Sequence, residues 1–218
     1  MSTTVYNLKS RYYICKVRFC HLKEEIQRRV ELGIIWIALV LINKLGFDKN
    51  EILWVICGFT KSYMLRRKSK EKILGLAKSL LDRGAHVDGL SLIWNDWTEA
   101  TPLMKVVFFY EGWFGDAMVK LLIDYGADLN AEDFSGLTPM AYAARKADIK
   151  KIKELWVSGA NVLDDPDSYP VGSPPTSKAL YYVGYNTTRG RGGRRVTRRA
   201  KELLQKLAIL ECRERGIY

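Results

Sequence analysis

The chain has 218 residues, a formal net charge of +11 and 48% apolar residues. That length suits one sizeable domain or a stack of roughly four or five helix pairs, and the apolar content excludes global disorder. Its four cysteines, Cys15, Cys20, Cys57 and Cys212, form no Cys-x-x-Cys pair, so they read as reduced, buried thiols of an intracellular protein. A metal site at Cys15, Cys20 and His21 would lack a fourth ligand at suitable spacing.

The charge is uneven. Residues 82–148 hold eleven acidic and five basic side chains, whereas 61–72 hold six basic against Glu71, and 189–201 hold seven basic and no acid. Such a map points to a polyanion, an acidic protein or a membrane surface as a contact for the ends.

Residues 1–20 do not resemble a secretory signal, and 11–20 reads either as a strand or as a helix. A helix is predicted over 22–45, with Glu24 and Glu25 in its first turn, where they suit the helix dipole. Its apolar run, 32–42, stops at Asn43-Lys44, short of the ~20 residues that cross a bilayer. It is read as a buried core helix, with a membrane-inserted hairpin formed with 52–59 as the alternative. Gly46 is a stop, and Asp48 with Glu51 has capping-box spacing for a second apolar helix through Phe59. Two short helices, 63–67 and 72–82, are predicted next, with Leu74, Ala77, Leu80 and Leu81 as a buried stripe.

Three echoes follow: Gly84-Ala85-His86-Val87-Asp88, Gly126-Ala127-Asp128-Leu129-Asn130 and Gly159-Ala160-Asn161-Val162-Leu163, the last two 33 residues apart. Two are followed by Thr-Pro pairs, Thr101-Pro102 and Thr138-Pro139. Threonine caps a helix through its hydroxyl, and proline fits the first helical position. The second helices of these units are predicted over 116–125, with Val119, Leu122 and Ile123 buried, and around Ile149, Ile152 and Leu155. Residues 164–175 read as a loop, with Asp164, Asp165 and Asp167 either solvating a turn or holding a cation. Ser173-Pro174 stands in for the Thr-Pro pair before a short helix near 177–183. A Gly/Arg-rich insertion over 184–195 then precedes a last helix over 198–215, with Leu203, Leu204, Leu207 and Leu210 on its buried side.

Gly136-Leu137-Thr138-Pro139-Met140-Ala141-Tyr142-Ala143-Ala144 and Gly126-Ala127-Asp128-Leu129-Asn130 resemble the pattern of the ankyrin-repeat family. The resemblance is good over 97–163, fair over 60–96, and inferred for 22–59 and 164–215. It implies an all-α solenoid of stacked helix pairs with irregular N- and C-terminal capping helices. The divisions are 1–59 as helical cap or degenerate repeat, 60–163 as ankyrin repeats, and 164–218 as a Pro/Gly/Arg-rich loop with capping helices. Met104 and Ala141 replace the family's histidine, so its inter-repeat hydrogen bonds are absent.

Two insertions carry aromatics. From Gly84 to Thr101 is 17 residues, against 12 from Gly126 to Thr138, and the extra length brings Ile93, Trp94 and Trp97. From Thr101 to Gly126 is 25 residues, against 21 from Thr138 to Gly159, and the extra length brings Tyr110, Trp113 and Phe114. Tryptophan and tyrosine anchor interfaces, so Trp94, Trp97, Tyr110, Trp113 and Phe114 are candidates for a protein-binding surface. The alternative is that they fold back onto a neighbouring repeat.

Arg189, Arg191, Arg194 and Arg195 interleave with glycine as in RGG-type segments, and Arg198 and Arg199 extend the run. This reads as a nucleic-acid contact, a nuclear-import signal or a solvated loop. No catalytic set is found: Gly190-x-Gly192-Gly193 lacks the strand and Lys-Ser/Thr of a phosphate loop, and His21 and His86 are the two histidines. The expected function is therefore a non-enzymatic protein–protein interaction module, with nucleic-acid binding through 189–201 as the alternative. No cofactor or metal is expected, nor membrane attachment. The partner is an unidentified protein, the state monomeric, and the compartment cytoplasmic or nuclear.

Overall fold

The structure, a computed structural model, describes residues 49–58, 67–89, 99–164, 176–185 and 191–217. Among these residues it is all-α, with no strand. The helices are α1 (Lys49–Cys57), α2 (Arg67–Asp82), α3 (Pro102–Phe109), α4 (Gly112–Asp124), α5 (Pro139–Lys146), α6 (Ile149–Val157), α7 (Lys178–Tyr182) and α8 (Arg191–Glu214).

The punctuation of these helices follows the sequence closely. Thr101 Oγ1 accepts from the Met104 N–H at 3.4 Å, and Thr138 Oγ1 from the Ala141 N–H at 3.3 Å, each with proline in the first turn. Met104 Sδ in turn accepts from the Thr101 N–H at 3.4 Å, a sulfur version of the capping box. Asp148 and Ser177 cap α6 and α7 in the same way, at 3.2 and 3.1 Å.

The three echoes have one physical cause. Gly84, Gly126 and Gly159 lie at φ of 78°, 80° and 101°, in the left-handed region where a Cβ is costly. In each, the glycine N–H and the following alanine N–H return to the last-turn carbonyls. Gly84 donates to Leu81 at 2.8 Å and Ala85 to Leu80 at 3.0 Å, and the other two echoes repeat this bond for bond. This is the Schellman helix end. The alanine is small because it is buried in all three.

A second regularity ties consecutive turns together. Asp88, the fifth residue of its echo, accepts from the N–H of Asp128, the third residue of the next, at 3.1 Å. Asn130 accepts from the Asn161 N–H at 2.7 Å in the same register. Asn50 of α1 starts the ladder by accepting from the His86 N–H at 2.6 Å. The third echo has Leu163 at its fifth position. There the ladder ends on a buried carboxylate: Glu211 of α8 accepts from the Val162 and Leu163 N–H groups at 2.7 and 3.1 Å, and also pairs with Arg215.

The helices pack in sequential pairs, α1 on α2, α3 on α4, α5 on α6 and α7 on α8. The odd-numbered helices also form a continuous row, α1–α3–α5–α7, while α2 packs on α4 and α6 on α8. The core runs between the rows, and Leu53, Leu103, Leu122, Met140, Leu155 and Leu204 are fully buried in it. Each such side chain contributes ~1.5–3 kcal/mol by leaving water. Lys151 is also buried. Its Nζ caps the end of α3, donating to the Val107 carbonyl at 3.3 Å and to that of Tyr110, with Asp148 Oδ2 at 3.2 Å. A cation suits a helix C-terminus.

Several expected boundaries move. The second apolar helix is found, as α1, but it pairs with α2, and α2 runs unbroken from Arg67. The expected start of the second helix at Lys72 is therefore corrected to Arg67, while residues 63–66 of the expected short helix lie outside the described residues. The extra residues between Thr101 and Gly126 lengthen α4, 13 residues against the 9 of α6, rather than a turn. α4 begins at Gly112 instead of 116, which leaves Tyr110 and Glu111 as the connection. The Gly/Arg-rich loop is corrected likewise, since α8 begins at Arg191 and takes Gly192, Gly193, Arg194 and Arg195 into its first turns.

Ile52, Leu53 and Ile56 of α1 are buried in the core, so α1 is not a lipid-facing half of a hairpin. No helix among the described residues is long and apolar enough to cross a membrane. Cys57 and Cys212 are free and buried, and burial pushes the Cys57 thiol well above its ordinary range, with Lys105 opposing in part. The readings for 1–20, for the helix over 22–45 and for Cys15, Cys20 and His21 lie outside the described residues.

Candidate interaction surface

The row of odd-numbered helices brings their C-terminal ends together, and α5 and α7 are joined there by the Gly184 N–H donating to the Ala144 carbonyl at 2.8 Å. Arg145 stands at this point, in the last turn of α5. Its guanidinium carbon is 5.6 Å from the ring centroid of Phe108 on α3 and 5.7 Å from that of Tyr142 on α5. It is 5.8 Å from the Tyr182 ring and 5.9 Å from the Tyr185 ring, at and just after the end of α7. Three neighbouring helices of this row, α3, α5 and α7, thus wall one cation with four rings. Each such contact is worth ~0.5–1 kcal/mol where exposed and more where water is excluded.

The walls are themselves fixed. Tyr142 is buried, and its hydroxyl donates to Asp133 Oδ2 at 2.7 Å. The other oxygen of Asp133 accepts from the Ser135 and Leu137 N–H groups at 2.8 Å each, locking the turn before α5. Phe108 meets Tyr142 edge-on at 5.7 Å, and Tyr182 meets Tyr185 edge-on at 6.2 Å. Toward solvent the strip opens: Tyr181 is 82% and Tyr185 73% exposed. The Nε atom of Arg145 is buried, yet no acceptor among the described residues reaches it.

The aromatics chosen from the sequence are distributed differently. Tyr110 and Phe114 are each 1% exposed, so their assignment to a binding surface is corrected. Tyr110 donates its hydroxyl to the Ile56 carbonyl, and its ring packs on Phe114 at 5.0 Å. They fill the joint between neighbouring pairs. Trp113 is 45% exposed, with the Arg67 guanidinium 5.6 Å from its ring centroid. Trp94, Trp97 and Ile93 lie outside the described residues.

Of the arginines, Arg194, Arg195, Arg198 and Arg199 are exposed on α8. Arg191 is its first residue, and Arg189 lies outside the described residues. Asp164 is already engaged: its oxygens accept from the Lys178 N–H at 3.0 Å and from Thr176 Oγ1 at 3.0 Å. Asp165 and Asp167 lie outside the described residues.

Sequence reasoning missed Arg145 and its tyrosines. The available signal was register rather than composition: Phe108 and Arg145 each stand seven residues after their capping threonines, so equivalent helix ends carry them to one place. No protein-family model matches this chain, and comparison with curated proteins finds no match.

Proposed function

We propose that the chain is an ankyrin-type stack acting as a non-enzymatic protein-binding module, and that its partner seats on the strip centred on Arg145. The observation that carries this reading is the convergence of Phe108, Tyr142, Tyr182 and Tyr185 on one guanidinium from three neighbouring helices. Arginine and tyrosine are enriched at interface hot spots; tyrosine offers large, rigid contact area, and the rotamer entropy that a free arginine would lose on binding is reduced here because the rings already hold Arg145. The row of odd-numbered helices corresponds to the face that ankyrin proteins commonly use for partners. The repeated Schellman ends, the Thr-Pro caps and the two-row packing support the stack. Buried free thiols at Cys57 and Cys212 suit an intracellular setting, cytoplasmic or nuclear.

The test is affinity capture from nuclease-treated lysate with the full chain, beside an Arg145→Ala/Tyr185→Ser variant checked for unchanged helicity. A protein held by the parent chain should bind the variant at least ~30-fold more weakly, as expected for loss of an interface hot spot. A partner indifferent to both substitutions refutes this surface. Trp113→Ser, tested in parallel, would then report whether the exposed tryptophan of α4 is the contact instead.

A further inference from the structure

We propose that the first turns of α8 bind the phosphate backbone of duplex nucleic acid without reading its sequence. Arg194, Arg195, Arg198, Arg199 and Lys201 are exposed on this helix, and 191–201 contains no acidic residue. At 3.6 residues per turn, these five cations fall within about 160° of arc and along about 10 Å of axis. Arg198 pairs with Glu202 at 3.6 Å, both largely exposed, whereas among the described residues no carboxylate pairs with Arg194, Arg195 or Arg199. Four of the five are arginines, whose planar fork matches phosphate oxygens two at a time.

The helix that presents them is anchored. Ala200, Leu204, Leu207 and Ala208, on its opposite side, are buried in the core. A Cβ placed at Gly184 would strike the Thr197 side chain, so α8 lies directly against the end of α7. The cations are therefore displayed on a fixed comb, not on a pliant glycine-rich loop, and a comb favours a partner with rigid charge spacing.

The same features separate this ligand from its rivals. A membrane-surface helix inserts one continuous apolar side among lipids, but the continuous apolar side of α8, Ala200, Leu204, Leu207 and Ala208, is spent inside the protein, and its exposed Val196, Ile209 and Leu210 are scattered over about 140° of arc and about 20 Å of axis. Proteins that bind single strands stack bases on aromatic side chains; Arg191–Glu214 contains none, and the exposed Tyr181 and Tyr185 near its start are already packed on Tyr182, with Tyr185 also against Arg145. What remains is dense, regular negative charge, which a duplex supplies at one charge per ~1.7 Å of axis.

Fluorescence anisotropy of the full chain with a labelled duplex of about 20 base pairs tests this, with the salt varied between ~50 and ~200 mM. Two unrelated duplex sequences should bind alike, and log K should fall with log salt at a slope of about −4, since each neutralised phosphate releases just under one counterion. The charge-reversed variant R194E/R195E/R198E/R199E should lose about 100-fold in affinity at the lower salt while keeping its helicity and melting temperature. An Arg→Lys version of the same four positions, which preserves charge, should retain most of the binding. The proposal is overturned if the parent chain ignores the duplex, or if the charge-reversed variant binds it equally well. It is equally overturned if a single strand of the same length binds more tightly than the duplex. Retention on phosphatidylcholine vesicles containing phosphatidylserine, without duplex binding, would assign the comb to a lipid surface instead.

Discussion

Gly75 and Gly115 both interrupt helices, yet their surroundings assign them opposite roles. Gly75 is exposed in the middle of α2, and a Cβ there would meet nothing within 4 Å. Gly75→Ala should therefore stabilise the protein by up to ~1 kcal/mol, the helix-propensity difference. At Gly115 a Cβ would come within 2.8 Å of the Tyr110 carbonyl oxygen, which is backbone and cannot swing aside. Gly115→Ala should cost ~1–3 kcal/mol despite the better propensity of alanine. Denaturant melts of the two variants decide the matter, and equal shifts of the same sign would refute the close approach of α4 to Tyr110. The same contact explains what was illegible at this scale. The sequence shows that Tyr110, Trp113 and Phe114 belong to an insertion, but not which way each ring turns. Gly112, at φ 65°, and Gly115 let the chain fold tightly enough to draw Tyr110 and Phe114 inward, leaving Trp113 outside.

Helix ends are where the sequence speaks most directly, because a cap is a local contract between one side chain and a nearby N–H. Thr101, Thr138 and the three Gly-Ala steps were legible for that reason. Helix beginnings without such a contract were not: α4 starts on Glu111, which makes no side-chain cap bond, and α8 starts among glycines. Packing against the preceding element extends both helices beyond what pattern alone indicates. Two ion pairs join the α3–α4 unit to the α5–α6 unit, Lys146 of α5 with Glu111 at 2.7 Å and Lys150 of α6 with Asp116 of α4, so this seam should respond to pH. Lys146 holds the Glu111 carboxyl below its ordinary range. Its stabilisation is thus present above the unfolded carboxylate pKa of ~4.3 and is lost as pH falls through the folded value. Burial, helped by Asp116, pushes Glu154 the other way. Its contribution is present in acid and lost as pH rises through its raised value. Glu154→Gln should accordingly stabilise at neutral pH by a few tenths of a kcal/mol after solvent screening, and not in acid, whereas Glu111→Gln should destabilise slightly at neutral pH only. Melting temperatures of both variants at the two pH values check the signs.

At the scale of the molecule, the Asx ladder makes neighbouring pairs depend on one another, and a ladder must end somewhere. Asn50 opens it at α1, and at the last echo, where Leu163 has no side-chain acceptor to continue it, Glu211 closes it by accepting from the Val162 and Leu163 N–H groups. Long-range closure of this kind has no local signature: Glu211 is one glutamate in a charged helix, 48 residues from Leu163, so the sequence indicated a capping helix but not its capping group. Glu211→Ala would leave the Val162 and Leu163 N–H groups buried without a partner. It should cost ~2–3 kcal/mol, more than an exposed glutamate of the same helix such as Glu202, whose replacement should cost under ~0.5 kcal/mol. Removing residues 186–218 is a harsher version of the same cut. It uncovers Ala179, Val162 and Leu163 as well, and a stack without its terminal cap exposes an apolar face. If α8 folds as one unit with the rest, the truncated chain should unfold at lower denaturant and with a smaller m-value, in proportion to the surface no longer buried. It should also self-associate on size-exclusion chromatography. An unchanged midpoint and a monomeric profile would mean that α8 is an appendage rather than a cap. In that case the Glu211 substitution should be silent too, so the two measurements stand or fall together.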